Sequence, residues 1–287
     1  GGSQIWLKEN EQITVEDMLK AVCVVSANDC SVALAEHLAG SSEAFVEKMN
    51  RRAQELGMAD TTFVNPTGLP AQGHVTSAYD IALMSRELIA NHPDIRRFTT
   101  IWMDSLRDGE SALTNTNKLV RYYPGATGLK TGSTDSAQYC LSATAERDGM
   151  ELIAVVLKSP TSTQRFEGAK TLLNYGFAAY GLAEAAPQEP LRPIPVVLGE
   201  KAAVTPEICG ETGILAPKEK LAAMTVRTEL QPQLEAPVEK GQPVGTLTVL
   251  SGEETLAELP LVAGEDVPRL TYWKILLRCL QTAFLAG

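Results

Sequence analysis

Four segments in the first hundred residues place apolar side chains at helical spacing. They predict helices over about residues 15–25, 29–38, 42–56 and 77–90. Thr14 and Asp29 are the predicted N-caps of the first two helices, and Gly or Pro ends the others. Ser26 and Asn28 therefore fall on the short connection between the first two helices. The pattern predicts a helical lobe.

Apolar runs of strand length follow this lobe. The runs 141–145 and 152–156 flank Arg147-Asp148-Gly149, a sequence that predicts a tight hairpin turn. An earlier strand leads into Lys130, and the periodic run 165–180 predicts a helix that covers the strands. Together the two regions predict an α+β fold, with a helical lobe and an antiparallel sheet flanked by helices.

The composition changes at residue 181. Ala, Gln and Glu become frequent and four prolines exclude a helix, which predicts a linker over about 181–192. Beyond it, Gly and Pro turns separate β-type runs at 194–198, 223–228 and 244–250, which predict a small β-sandwich. We therefore predict one domain over residues 1–182 and an all-β domain over residues 193–265.

Residues 267–287 predict an amphipathic helix. Its apolar face contains Leu270, Trp273, Leu276, Leu277, Leu280 and Phe284. Its polar face contains Thr271, Lys274, Arg278 and Gln281. A helix of this kind lies in a membrane interface with its cations near anionic headgroups. The alternative is a terminal helix that packs on the β domain.

Composition narrows the class of protein. A chain of 287 residues with 44% hydrophobic content can form more than one globular domain, and a net charge of −10 without a basic tract argues against nucleic-acid binding. The five cysteines and three histidines have no metal-binding spacing, so we expect no metal site. Gly1-Gly2-Ser3 has no signal-peptide features, and an export signal is expected upstream.

Two short motifs carry candidate chemistry. Ser26-Ala27-Asn28 and Lys130-Thr131-Gly132 occur in the order of the second and third motifs of penicillin-recognising serine acyl-transfer sites. Each motif also has a local explanation, as a helix cap and as a solvated lysine at a strand end. The first motif, S-x-x-K, has no match. No serine stands three residues before any lysine, and the nearest substitutes are Thr127 and Thr271.

Short stretches over most of the first 180 residues match one protein family. They are Ile5-Trp6-Leu7-Lys8 and residues 24–29, 34–41, 45–50, 56–58, 62–69, 77–82 and 172–177. On these stretches the chain resembles the low-molecular-mass penicillin-binding proteins that are D-alanyl-D-alanine carboxypeptidases. The resemblance implies a penicillin-binding/β-lactamase-like domain, a small all-β domain and a C-terminal amphipathic helix. It also implies that the chain is N-terminally incomplete, lacks its nucleophile segment and is inactive as given.

The resemblance implies roles for seven residues. Three are catalytic: the hydroxyl of Ser26 passes a proton, the amide of Asn28 binds the substrate backbone, and Lys130 supplies a positive charge. Four bind the substrate. Thr131 offers a hydroxyl and Arg165 a guanidinium to the terminal carboxylate, Gly132 keeps the strand edge open, and the backbone N–H of Ser133 contributes to the oxyanion hole. For Arg165 the alternative is a surface arginine at a helix start.

The implied function is a serine-type carboxypeptidase that trims peptidoglycan pentapeptide stems through an acyl-serine intermediate, without metal or cofactor. The expected ligands are peptidoglycan stem peptides and β-lactams. The expected location is the outer face of the cytoplasmic membrane, with peripheral contact through the terminal helix. Two alternatives stay open. One is a class A β-lactamase or D,D-endopeptidase, and the other is a non-catalytic wall-binding protein that has lost its nucleophile.

Overall fold

The computed structural model describes residues 2–276 of the chain. The chain divides into two compact units, Gly1–Ala178 and Ala179–Gly287. Within the described residues, no helix is long and apolar enough to cross a bilayer.

The helices of the first unit agree closely with the predicted ones. They are α1 (Val15–Val25), α2 (Asn28–Ala39), α3 (Ser42–Glu55), α4 (Ala78–Asn91), α5 (Arg96–Thr99), α6 (Leu119–Tyr122) and α7 (Ser162–Ala179). The short α5 and α6 were not predicted, since four residues are too few to show a helical period. Two 3-10 turns, Pro93–Ile95 and Arg107–Gly109, accompany them.

The strands of the first unit form two sheets. They are β1 (Met103–Leu106), β2 (Ser111–Thr114), β3 (Ala126–Thr134), β4 (Gln138–Arg147) and β5 (Met150–Ser159). β1 and β2 form an antiparallel pair, and β3, β4 and β5 form an antiparallel sheet in that order. Asp148 and Gly149 turn the β4–β5 hairpin with φ values of 51° and 76°. The predicted hairpin and the α+β architecture are confirmed.

The junction between α1 and α2 is tighter than the sequence predicts. α1 begins after Thr14, whose hydroxyl accepts the N–H of Asp17 at 3.0 Å. It ends at Ser26, which adopts a left-handed backbone with φ of 62°. Ala27 is the N-cap of α2, so Asn28 is already its first helical residue.

The predicted N-cap role of Asp29 is wrong. Its carboxylate accepts hydrogen bonds from the backbone N–H groups of Ile5 at 3.3 Å and Leu7 at 3.1 Å. The side chain therefore ties the N-terminal segment to α2. The sequence pattern could not show this, because an acidic residue in a first helical turn fits both roles.

Two apolar clusters hold the first unit together. α7 covers one face of the sheet, where Phe166, Ala169 and Leu173 pack against Leu141 and Ala143. A second cluster joins α1 and α2 to the β1–β2 hairpin and contains Ile5, Ala21, Val24, Cys30, Leu106 and Leu113. α4 contacts the sheet through a hydrogen bond between the hydroxyls of Ser85 and Ser142 at 2.7 Å.

The second unit is built mainly of short strands. Its elements are β6 (Tyr180–Glu184), β7 (Ile194–Val197), β8 (Ala203–Val204), β9 (Pro206–Ile208), β10 (Gly213–Pro217), α8 (Lys218–Ala222), β11 (Met224–Leu230), β12 (Leu234–Glu235), β13 (Pro243–Ser251) and β14 (Glu254–Ala263). The sheet orders are β11-β13-β14-β9, β12-β7-β8 and β10-β6. Their apolar faces enclose a core that includes Ile194, Val244, Leu247 and Leu261.

The predicted linker and the predicted terminal helix differ from the structure in part. β6 occupies the start of the predicted linker and pairs with β10, a partner that lies about thirty residues later and leaves no local sequence signal. Residues 272–276 are helical, and Trp273 is 76% exposed. Leu277, Arg278, Leu280, Gln281 and Phe284 lie outside the described residues.

Candidate active site

Lys130 lies within β3 rather than at its end. The strand continues to Thr134, and Lys130 pairs with Ser142 of β4. The ammonium donates a hydrogen bond to the carbonyl oxygen of Thr131 at 2.8 Å. The alternative of a solvated lysine at a strand end is therefore wrong, because the side chain is partly buried in mid-strand.

Burial changes the protonation of Lys130. Burial is the main cause that lowers the pKa of Lys130 from 10.5 to about 8; Cys23 acts against this shift, and the charge of Arg165 contributes to it. Burial also raises the pKa of Cys23 to about 11, so that this thiol stays neutral at physiological pH. A lysine with a pKa near 8 can accept a proton close to neutral pH, as acyl transfer requires.

Thr131 connects the strand to the end of α1. Its hydroxyl forms a hydrogen bond of 2.6 Å with the hydroxyl of Thr116. The backbone N–H of Thr116 donates to the carbonyl of Val24, two residues before Ser26, at 3.0 Å. Two hydrogen bonds thus link the strand of Lys130-Thr131-Gly132 to the last turn of α1, which precedes Ser26, although about a hundred residues separate the two in the chain.

Asn28 lies at the start of α2 beside the N-terminal segment. Its backbone N–H donates to the carbonyl of Ser3 at 2.8 Å. A β-carbon added at Gly2 would stand 2.4 Å from the Asn28 amide nitrogen, so the close approach requires glycine there.

Gly132 and Ser133 form the exposed part of β3. A β-carbon added at Gly132 would meet only the β-carbon of Cys140, at an ordinary 3.9 Å. The protein therefore has room for a side chain at position 132. A ligand that lies along the strand would require glycine there, because a side chain would occupy the same space. Lys130, Gly132 and Ser133 line a cavity of about 590 Å³, a volume that suits small-molecule ligands.

Arg165 is buried, so the alternative of a surface arginine is wrong. Its side chain is 6% exposed and lies over the rings of Tyr139 and Phe166. Nη1 donates to the carbonyls of Gly132 and Cys140, each at 3.1 Å, which ties α7 to the strands of the candidate site. Burial lowers its pKa. Within the described residues Nε is buried without a hydrogen-bond partner.

Sequence reasoning missed the buried polar loop that precedes β3. Asn115 donates to the carbonyl of Ile101 at 2.7 Å, and Asn117 donates to the carbonyl of Gly128 at 2.9 Å. Both asparagines are fully enclosed. Their only sequence signal is a polar run before a strand, and such a run is equally typical of a solvated turn.

Family models match both units. Residues 1–161 match the model for D-alanyl-D-alanine carboxypeptidase, and residues 192–269 match the model for the C-terminal domain of penicillin-binding protein 5.

Curated relatives match almost the whole chain. The D-alanyl-D-alanine carboxypeptidase DacF of Bacillus subtilis is 38% identical, and the match covers 98% of this chain and 73% of the relative. DacC of Escherichia coli is 34% identical over 93% of this chain and 67% of the relative.

Solved structures agree with these matches. Penicillin-binding protein 5 from Haemophilus influenzae superposes with a TM-score of 0.75 and 32% identity, over 93% of this chain and 78% of that one. Penicillin-binding protein D2 from Listeria monocytogenes, solved in an ampicillin-bound form, gives a TM-score of 0.54 and 38% identity over 57% of this chain and 68% of that one.

Proposed function

The chain belongs to the D-alanyl-D-alanine carboxypeptidase family, and on that premise we propose that its first unit recognises peptidoglycan stem peptides ending in D-alanyl-D-alanine. The reaction of this family is removal of the terminal D-alanine through an acyl-serine intermediate, and β-lactams are the expected ligands of the site. One observation carries the proposal. The partly buried Lys130, with its pKa lowered to about 8, lies on a strand that Thr131 and Thr116 join to the end of α1.

In this proposal the terminal carboxylate of the peptide lies against Arg165 and Thr131. The Nε–H of Arg165, which has no acceptor among the described residues, supports this role, because a buried donor without an acceptor costs about 1–3 kcal/mol that a bound carboxylate recovers. Nη1 is not available to the substrate, since it holds the carbonyls of Gly132 and Cys140. The arginine therefore supports the strand and offers one side of its guanidinium to the ligand.

The remaining roles follow the two motifs. Ser26 passes a proton toward Lys130, and Asn28 donates its side-chain amide to the peptide backbone. The substrate extends along β3 at Gly132, and the backbone N–H of Ser133 contributes to an oxyanion hole. The open space at Gly132 supports this path for the peptide.

We also propose that these 287 residues bind their ligand without acylation. Acyl transfer needs a nucleophile beside a base, and no serine stands three residues before a lysine in this sequence. A non-catalytic, stem-peptide-binding activity is therefore the second candidate function. The match of residues 192–269 to the C-terminal domain of a penicillin-binding protein favours this family over a class A β-lactamase.

The cellular setting belongs to the same proposal. We place the protein at the outer face of the cytoplasmic membrane, where peptidoglycan is built, with its C-terminal segment on the bilayer. The exposed Trp273 and Tyr272 in residues 272–276 support an interfacial contact, since aromatic side chains favour the membrane interface. Lys274 pairs with Glu200, which reduces the cationic charge available to anionic lipid.

Calorimetric titration tests the ligand class. The probe is a diacetylated L-Lys-D-Ala-D-Ala peptide, compared with its C-terminal amide and with the L-Ala-L-Ala isomer. We expect the free D,D-peptide to bind at least tenfold more tightly than either control, and Thr131→Val to remove most of that preference. Equal binding of the three peptides would contradict the proposed recognition.

A further inference from the structure

Trp6 is an exposed aromatic residue held in a strained backbone conformation. Its φ is 59°, in the left-handed region that a bulky side chain rarely adopts. The indole is 76% exposed. Strained and exposed residues of this kind persist only where surrounding contacts hold them, and they often mark functional sites.

The surrounding contacts fix the backbone on both sides of Trp6. Asp29 accepts the N–H groups of Ile5 and Leu7, the two neighbours of Trp6. Arg107 donates to the carbonyls of Ile5 at 2.9 Å and of Trp6 itself at 3.3 Å. Both neighbouring side chains face the apolar cluster around α1, with Ile5 7% exposed. The anchored neighbours leave the indole as the part of this segment that faces solvent.

Arg107 is itself held in place by a charged partner. Its guanidinium donates to both carboxylate oxygens of Glu11, at 2.6 and 3.0 Å. This hydrogen bonding lowers the pKa of Glu11 to about 2, so the pair remains ionised at physiological pH. These hydrogen bonds therefore fix the backbone that carries the indole ring of Trp6.

We propose that Trp6 is a stacking platform for a sugar ring of the peptidoglycan glycan strand. Among residues 2–14, Trp6 is the only large apolar side chain that is strongly exposed, and polar residues such as Gln4, Lys8 and Glu9 lie near it in the chain. A single flat aromatic face with polar neighbours matches a pyranose, which has an apolar C–H face and a rim of hydroxyls. A protein partner would favour a cluster of apolar anchors.

The location agrees with the proposed substrate. Ser3 accepts the backbone N–H of Asn28, and Asp29 holds the residues on both sides of Trp6, so the platform is attached to the helix that carries a candidate site residue. A stem peptide is linked to a glycan strand, and a site for the peptide can have a site for the sugar beside it. The inference rests on the proposed function for the identity of the glycan.

Calorimetric titration of the full chain with soluble glycan strands freed of stem peptides tests the platform. We expect Trp6→Ala to raise the dissociation constant at least tenfold and Trp6→Phe to raise it less, because phenylalanine keeps an aromatic face. Trp273→Ala is the matched control, since Trp273 is equally exposed at 76% but lies in the other unit. It should leave the dissociation constant unchanged. Circular dichroism checks that each variant folds.

Three results would overturn the platform. The first is a glycan dissociation constant that Trp6→Ala leaves unchanged, and the second is an equal loss of glycan affinity in Trp273→Ala. The third is Trp6-dependent binding of the protein to phosphatidylglycerol vesicles that is tighter than its binding to the glycan. The diacetylated peptide separates this inference from the proposed function. If neither the wild type nor any variant binds the peptide, but Trp6→Ala still weakens glycan binding, the proposed peptide recognition is wrong and the role of Trp6 stands. If the peptide binds and Trp6→Ala leaves glycan binding unchanged, the peptide recognition stands and the role of Trp6 is wrong.

Discussion

Replacement of Lys130 by methionine should stabilise the protein while it removes the central charge of the candidate site. Methionine keeps an unbranched side chain of similar length and carries no charge. The folded protein holds the pKa of Lys130 near 8, whereas 10.5 is its ordinary value. The fold therefore opposes the charged form, and a neutral side chain avoids that cost.

The pKa shift of Lys130 determines both the magnitude and the sign of the expected change in the free energy of unfolding. A difference of about 2.5 pH units corresponds to about 3 kcal/mol at 1.36 kcal/mol per unit. Loss of the hydrogen bond to the Thr131 carbonyl offsets about 1 kcal/mol of this gain, so we expect Lys130→Met to be about 1–3 kcal/mol more stable at pH 7. Between pH 8 and 10.5 the unfolded wild-type chain binds more protons than the folded one. Wild-type stability therefore rises with pH in this window, and the advantage of the variant disappears.

Urea unfolding monitored by circular dichroism from pH 6.5 to 11 measures the effect as the difference between variant and wild type. Lys158→Met is the matched control, because Lys158 is an exposed lysine on β5 of the same sheet. It should change the free energy of unfolding by less than about 0.5 kcal/mol at every pH. A difference for Lys130→Met that does not vary with pH, or a variant less stable than wild type at pH 7, would refute the reasoning.

Three further results follow from the structure. Arg165→Lys should weaken calorimetric binding of the free D,D-peptide about 10–100-fold, because lysine cannot form a bidentate pair, and should affect the amide far less. Removal of residues 271–287 should abolish co-sedimentation with anionic vesicles and leave peptide binding intact. Leu270 is retained because its N–H donates to the Leu198 carbonyl at 2.8 Å within the second unit. Incubation with a fluorescent penicillin should give no labelled band on denaturing electrophoresis, and a band that Ser26→Ala abolishes would show that Ser26 is a nucleophile.

Local chemistry explains which parts of the fold the sequence could predict. Thr14 with two acidic residues after it, and Asp148-Gly149 between two apolar runs, act through neighbours in the chain, and these elements occur as predicted. The β1–β2 hairpin carries no such signal. Its four-residue strands alternate too briefly to be recognised, and Leu106 and Leu113 are buried only because α1 and α2 cover them.

The candidate site also has features that local sequence predicts and features that depend on the fold. A short motif identifies Lys130, Thr131 and Gly132, because these residues match the third motif of penicillin-recognising sites and follow the second in order. The burial that lowers the pKa of Lys130 comes from elements distant in sequence, and no local pattern contains it. The hydroxyl pair of Thr116 and Thr131 likewise exists only once the loop before β3 has folded against α1.

Arg165 shows what a motif-based role leaves out. The family resemblance assigns its guanidinium to a substrate carboxylate. In the structure, Nη1 donates to the carbonyls of Gly132 and Cys140, and Nη2 donates to the hydroxyl of Ser162 at 3.2 Å. An arginine has five N–H donors, and these three bonds leave Nε and one Nη2 hydrogen. Strand support and ligand binding are therefore coupled in one side chain. A change at Arg165 should alter the shape of β3 together with affinity, and a change at Thr131 should alter affinity together with the Thr116 contact that links β3 to α1.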